Sequence, residues 1–323
     1  MIDPVSLYLR RLAEQGTSTS VDKDKNTPTE TSADDGGDGG DGSLSVSDTV
    51  EISVEARDYL AAEAEKNAAQ EARISYFEQF RPVREGFSAR NMAQGMVDPG
   101  AQPFSQNRSF DDVALAAREE LDARYQQMRD SGEPYDAGSF EGIDDYSVFG
   151  NLDRRALYAV SSNEGGHFTN EEQQKARDLM LGQHGMAMGL YNGPTRLNGK
   201  FLDSALIDKE QVFKPGIEYL DQVSTEEKAG DVERAVQRAN LQHAYEDRVR
   251  GNDRIPGNYG IGHPLVSLVR EALKAWENHP DWFSRGNTNT ADKLRDEPWF
   301  QNHADRLDAA IADTRALYGM TDS

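Results

Sequence analysis

Residues 152–184 read LDRRALYAVSSNEGGHFTNEEQQKARDLMLGQH, and this stretch decides the fold class. Two runs of helix-forming residues flank a short polar break. The second run opens on a capping box, with Thr169 at the N-cap and Glu172 three residues on, so that hydroxyl and carboxylate each take an orphan amide. Gly165 or Gly166 supplies the left-handed residue that ends the first run. The spacing therefore predicts a helical hairpin over 152–162 and 170–184.

Working outward, the same punctuation recurs. Helices are expected at 203–213, 224–250, 264–278 and 302–318, separated by Gly251, Pro256, Gly257, Gly260, Gly262, Pro264, Pro280 and Pro298. On the N-terminal side, Ser53 caps a helix running to about Phe80, where Val54, Leu60, Ala64, Ala68, Ala72 and Phe77 fall near one face and Pro82 stops it. Another follows from about Ser109 to Arg129, and the segments 83–107 and 131–151 read as loops. The one alternating run is Thr49–Val54. The expected class is mainly α: a multi-helix bundle with long loops, divided into a region at 48–151 and a domain at 152–323.

The first 47 residues differ in kind. Asp3 can cap a helix with Pro4 at its first position, over residues 1–15. Ile2, Val5, Tyr8, Leu9 and Leu12 make its apolar stripe, expected to bind a protein partner. Residues 16–47 include DDGGDGGDG at 34–42 and almost no apolar side chain, which predicts a disordered acidic linker.

Charge narrows the function classes. The chain of 323 residues carries 57 Asp and Glu against 35 Lys and Arg, a formal −22. That balance repels phosphate backbones, so nucleic acid is not an expected partner. With no cysteine there is no thiolate chemistry and no Cys-ligated metal. Neither a secretory leader nor a membrane span is visible, so the expected compartment is the cytoplasm, with signal-less export as the other possibility. The six histidines show no His-x-x-x-His spacing, which argues against zinc. Gly260-Ile-Gly-His-Pro264 lacks the lysine of a phosphate loop and reads as a turn. Trp276, Trp282, Phe283, Trp299 and Phe300 suggest packed helix ends or, less simply, a docking groove. Charge-rich stretches such as Glu233–Arg250 read as solvated helix faces.

Three short segments resemble known families. Ser161–Glu172 has the twelve-residue length of an EF-hand loop, with Gly166 at the turn position, Phe168 at the hydrophobic one and Glu172 at the bidentate one. The resemblance implies calcium ligation by Ser161, Asn163, Gly165, His167, Thr169 and Glu172. With one carboxylate among them, affinity would be no tighter than roughly 10⁻⁴ M. Glu164-Gly-Gly166 resembles the signature of a phage-type muramidase family, which implies Glu164 as a catalytic acid toward peptidoglycan. Asp48–Leu60 is similar to the helix start of the flagellar anti-sigma factor and other flagellar or secretion-associated bacterial proteins. That similarity implies a bacterial regulatory setting in which the chain grips a partner. The leading expectation is a non-catalytic regulatory or adaptor protein without a cofactor, with the calcium-responsive and hydrolase readings as alternatives.

Overall fold

The computed structural model describes residues 54–201, 209–251, 259, 262–281 and 288–320. Among these residues the protein is all helix and turn, without a strand. The expected docking stripe Ile2, Val5, Tyr8, Leu9 and Leu12, the expected linker 16–47 and the start of the Asp48–Leu60 segment, residues 48–53, lie outside the described residues.

Contacts divide the chain into two units, and the smaller one ends at Ala72. Its described part is the first five turns of helix α1 (Val54–Glu78). There Tyr59, Ala61, Ala64, Ala68 and Ala72 are all exposed. Alanine, glutamate and arginine have high intrinsic helix propensity, which favours the helix without a buried face. Burial begins at Ile74, followed by Phe77 and Phe80.

The larger unit runs from Arg73 to the C-terminus. Its first core gathers Ile74 and Phe80 with residues of α2 (Arg90–Val97), α3 (Phe110–Asp130), α4 (Ile143–Phe149), α5 (Arg154–Ser162) and α6 (Asn170–Ala187). α5 packs on both α3 and α6. The boundary expected at residue 152 therefore falls inside one hydrophobic core. Asp153 shows why: it caps α5 through the Ala156 amide, and its other oxygen accepts from the Phe104 and Ser105 amides at 3.0 and 2.8 Å. A buried carboxylate used twice fastens the earlier loop to the later helix.

The loops expected at 83–107 and 131–151 each hold a short helix, α2 and α4. The two meet where Gly150, ending α4, lies so close to the Ser88 and Ala89 backbone that a Cβ would sit 2.2 Å from the Ser88 carbonyl oxygen. Only glycine allows this approach.

A second core joins Met188 at the end of α6 to α7 (Lys209–Gln222) and α9 (Val232–Arg250). The sequence signal stops a helix at 213, before Pro215 and Gly216. α7 instead continues through both, because Ile217, Tyr219 and Leu220 beyond them are buried. The helix expected over 224–250 is two, α8 (Thr225–Gly230) and α9, broken where Asp231 adopts an extended conformation and caps α9. A third core holds the other face of α9 against α10 (Pro264–Trp276), α11 (Ala291–Asp296) and α12 (Leu307–Leu317). Trp299 and Phe300 are buried in it and Trp276 packs against it, so these aromatics are core; Trp282 and Phe283 lie outside the described residues. The helix expected from 302 begins as a 3-10 turn, Gln301–Arg306. α9 faces two cores, and this explains its departure from a solvated charged helix: Arg234 and Arg238 are among the most buried large side chains described.

Candidate functional site

The α5–α6 hairpin forms where expected, but neither Gly165 nor Gly166 ends its first helix: Asn163 takes the left-handed conformation that closes α5, its amide donating to the Ala159 carbonyl. Its side chain closes the loop, accepting from the Phe168 amide at 2.9 Å and donating to the Phe168 carbonyl at 3.2 Å. Thr169 and Glu172 form the reciprocal capping box that opens α6.

The candidate calcium ligands do not converge. Ser161 is buried, and its hydroxyl donates to the Tyr158 carbonyl within α5. Gly165 and His167 lie on the exposed tip, the imidazole folded over the glycine. Glu172 accepts from the Thr169 amide at 2.9 Å and forms an ion pair with Arg118 of α3, also at 2.9 Å. Arg118 in turn lies over the Phe168 ring. The loop is a capped helical turn, its one ligand-position carboxylate matched by a guanidinium. Thr169→Ala is expected to cost about 1 kcal/mol of stability in denaturant titration. Millimolar calcium is expected to leave the melting midpoint in place; a rise with calcium would restore the EF-hand reading.

Behind the hairpin lies a half-open cleft of about 450 Å³ between α5, α6, α8 and the start of α9, with the start of α11 and Ile311 of α12 also lining it. Its floor is an ion pair. Arg154 donates to both Glu227 oxygens, at 3.0 and 2.6 Å, with the two side chains only 4% and 1% exposed. The same guanidinium donates to the Met180 carbonyl and to the Tyr219 hydroxyl. The Tyr219 hydroxyl in turn donates to the Gly95 carbonyl at 2.8 Å, linking α7 to α2. Burial is the largest single influence on the Arg154 pKa and lowers it, but the charges and hydrogen bonds of Glu227 and Tyr219 together outweigh it and the net shift is upward.

The cleft wall holds more titratable groups. Asp231 accepts from the Arg234 amide as the α9 cap, and burial beside Glu227 and Glu233 pushes its pKa up to about 7. Burial also holds the Tyr158 hydroxyl well above its ordinary value. It lies against Gly230, where a Cβ would come within 2.6 Å of it. Arg234 is depressed by burial and donates to the Leu220 and Lys228 carbonyls. Glu164 sits exposed among the lining residues.

Of the residues singled out in the sequence, Glu164 and Ser161 line the cleft; Arg154, Tyr158, Glu227 and Asp231, which also line it, were not among them. The available signal was Arg154-Arg155 at the start of α5, directly ahead of the run Ala156–Val160. Nothing local identifies the partners: Glu227 lies 73 residues from Arg154, and Glu226 pairs with Arg155 at 2.6 Å. Among the described residues no helix is long and apolar enough to cross a membrane. No protein-family model, curated protein or solved structure matches the chain.

Proposed function

We infer that the protein is a non-catalytic adaptor whose helix α1 docks a helical segment of a protein partner. One observation carries this reading: from Tyr59 to Arg73 every described side chain of α1 is exposed or half-exposed, Tyr59 at 66%. Ala61, Ala64, Ala68 and Ala72 share one face, and such small residues admit a partner helix at close range. The flanking Glu63, Glu65 and Glu71, in a chain of net −22, favour a partner with a basic flank.

The cleft supports the same assignment by what its groups already do. Glu227 neutralises Arg154, Asp231 caps α9 and Glu233 accepts from Gln237. A hydrolase acting through Glu164 needs a second carboxylate for the base or nucleophile, and each of these has a structural role.

The test places a photocrosslinking residue at Ala68 or, as a control, at Lys274 on α10. Crosslinking from position 68 should yield one dominant adduct. The purified partner should bind the wild-type chain, lose affinity in Ala64→Arg/Ala68→Arg, and weaken as salt rises. Equal binding by that double variant, or an adduct shared with the control position, overturns the reading. Wall clearing that depends on Glu164 would replace it with the hydrolase.

A further inference from the structure

α9 carries His243 and Asp247 one turn apart, on the face it turns toward the end of α10. His243 Nε2 lies 3.1 Å from Asp247 Oδ2. α10 packs along α9 and ends at Trp276, so its C-cap residue Glu277 arrives at the same place. One ligand atom from each of the three residues lies within 4.8 Å of the others. We propose that His243, Asp247 and Glu277 form a binding site for a divalent transition-metal ion, zinc above all.

The donor set defines the ion. One imidazole nitrogen and two carboxylates, without sulfur, suit zinc, cobalt or manganese, whereas calcium and magnesium favour oxygen alone. Metal–ligand distances of roughly 2.0–2.2 Å put donors about 3–3.5 Å apart. The His243–Asp247 separation already meets this, and a rotamer change in Glu277, a helix-end residue, closes the remainder.

Electrostatics also favours a cation. Asp247 is in the last turn of α9 and Glu277 caps α10, so two carboxylates stand at helix C-termini, where unsatisfied carbonyls make anions unfavourable. With neutral imidazole the cluster carries a formal −2, which a divalent ion cancels. The neighbouring cation is Arg250, 3.6 Å from Asp247 Oδ1, half-exposed and held more closely by Glu246 at 3.1 Å. It can swing away as the metal enters. His243 itself is buried, which shields the nitrogen from exchange with solvent.

The experiment titrates zinc chloride into the chelator-treated full chain, with calorimetry and thermal melting as readouts. The expected result is one zinc per chain and a melting midpoint that climbs with free zinc. Glu277→Gln, on the surface, should weaken binding about tenfold or more while leaving the zinc-free melt unchanged. Asp247→Asn should do the same, and His243→Gln should abolish binding. Cobalt should quench tryptophan emission, and Trp276→Phe should remove most of that quenching, since Trp276 adjoins Glu277. Absence of saturable zinc binding overturns the proposal. So does binding that survives within about twofold in Glu277→Gln, a variant whose fold is not at stake.

Discussion

Arg154→Met is expected to destabilise the protein by about 3–5 kcal/mol, because it leaves the Glu227 carboxylate buried and unpaired. The cost lies in the orphan rather than in the lost attraction. Glu227 is 1% exposed, so the unpaired carboxylate would stay buried. Three further acceptors lose their donor with it: the Met180 carbonyl, the Gln183 side-chain oxygen and the Tyr219 hydroxyl. Glu227→Leu alone should also be costly, since the buried Arg154 charge is then left with neutral acceptors only. The double variant Arg154→Met/Glu227→Leu should recover a large part of the loss, as apolar replacement of a buried pair is often close to neutral. Urea unfolding of the four proteins closes the cycle. A double variant whose loss equals the sum of the singles would show that the pair is not coupled, and that the stability resides in the other bonds of Arg154.

That ion pair also marks where the sequence stopped being readable. Signals confined to four residues were legible. Thr169 and Glu172 cap α6 from within one turn, so the hairpin could be placed from letters alone. The break expected before Pro215 is absent and the break at Asp231 was not expected, because tertiary packing decides both. Burial of Tyr219 carries α7 past its proline, and an extended residue at 231 starts a new helix within a run of good helix formers. Least legible was the polarity of α9. Arg238 reads as a solvent residue, yet it is buried because Asp221, 17 positions earlier on another helix, meets it at 2.8 and 2.9 Å. The metal cluster escaped for a related reason: a search for two histidines passes over His243 with Asp247, and Glu277 joins them only through the packing of α10 on α9. In each case a residue's role depends on a partner far along the chain, which periodicity and capping rules do not reach.

Acid should destabilise the protein through His184, and replacing this residue should reverse the sign of the pH dependence. His184 is 1% exposed on α6, stacked on Tyr219, with Nε2 3.2 Å from the Gly216 carbonyl oxygen. Burial first, and the Arg154 charge second, push its pKa down to about 3. An unfolded chain takes up that proton near the ordinary value of 6.5. The folded state therefore binds fewer protons across this window. Its stabilising share is complete above pH 6.5 and is lost as pH falls toward 3, by about 3–5 kcal/mol at roughly 1.4 kcal/mol per unit. Asp231 works the other way. Its pKa is raised from 3.8 to about 7, so its share is complete at low pH and is lost as pH climbs through 7. Because Asp231 keeps part of its surface in water, we take its contribution as smaller, about 1–2 kcal/mol. The two oppose each other between pH 4 and 6.5, and the fully buried imidazole wins. Wild type should lose stability on acidification, Asp231→Asn should lose it more steeply, and His184→Gln should gain it between pH 7 and 4. Asparagine still caps α9, and glutamine can still donate to Gly216, so the slopes rather than the absolute stabilities carry the test. Parallel pH profiles for the three proteins in urea titrations would sink the assignment of the acid response to these two groups.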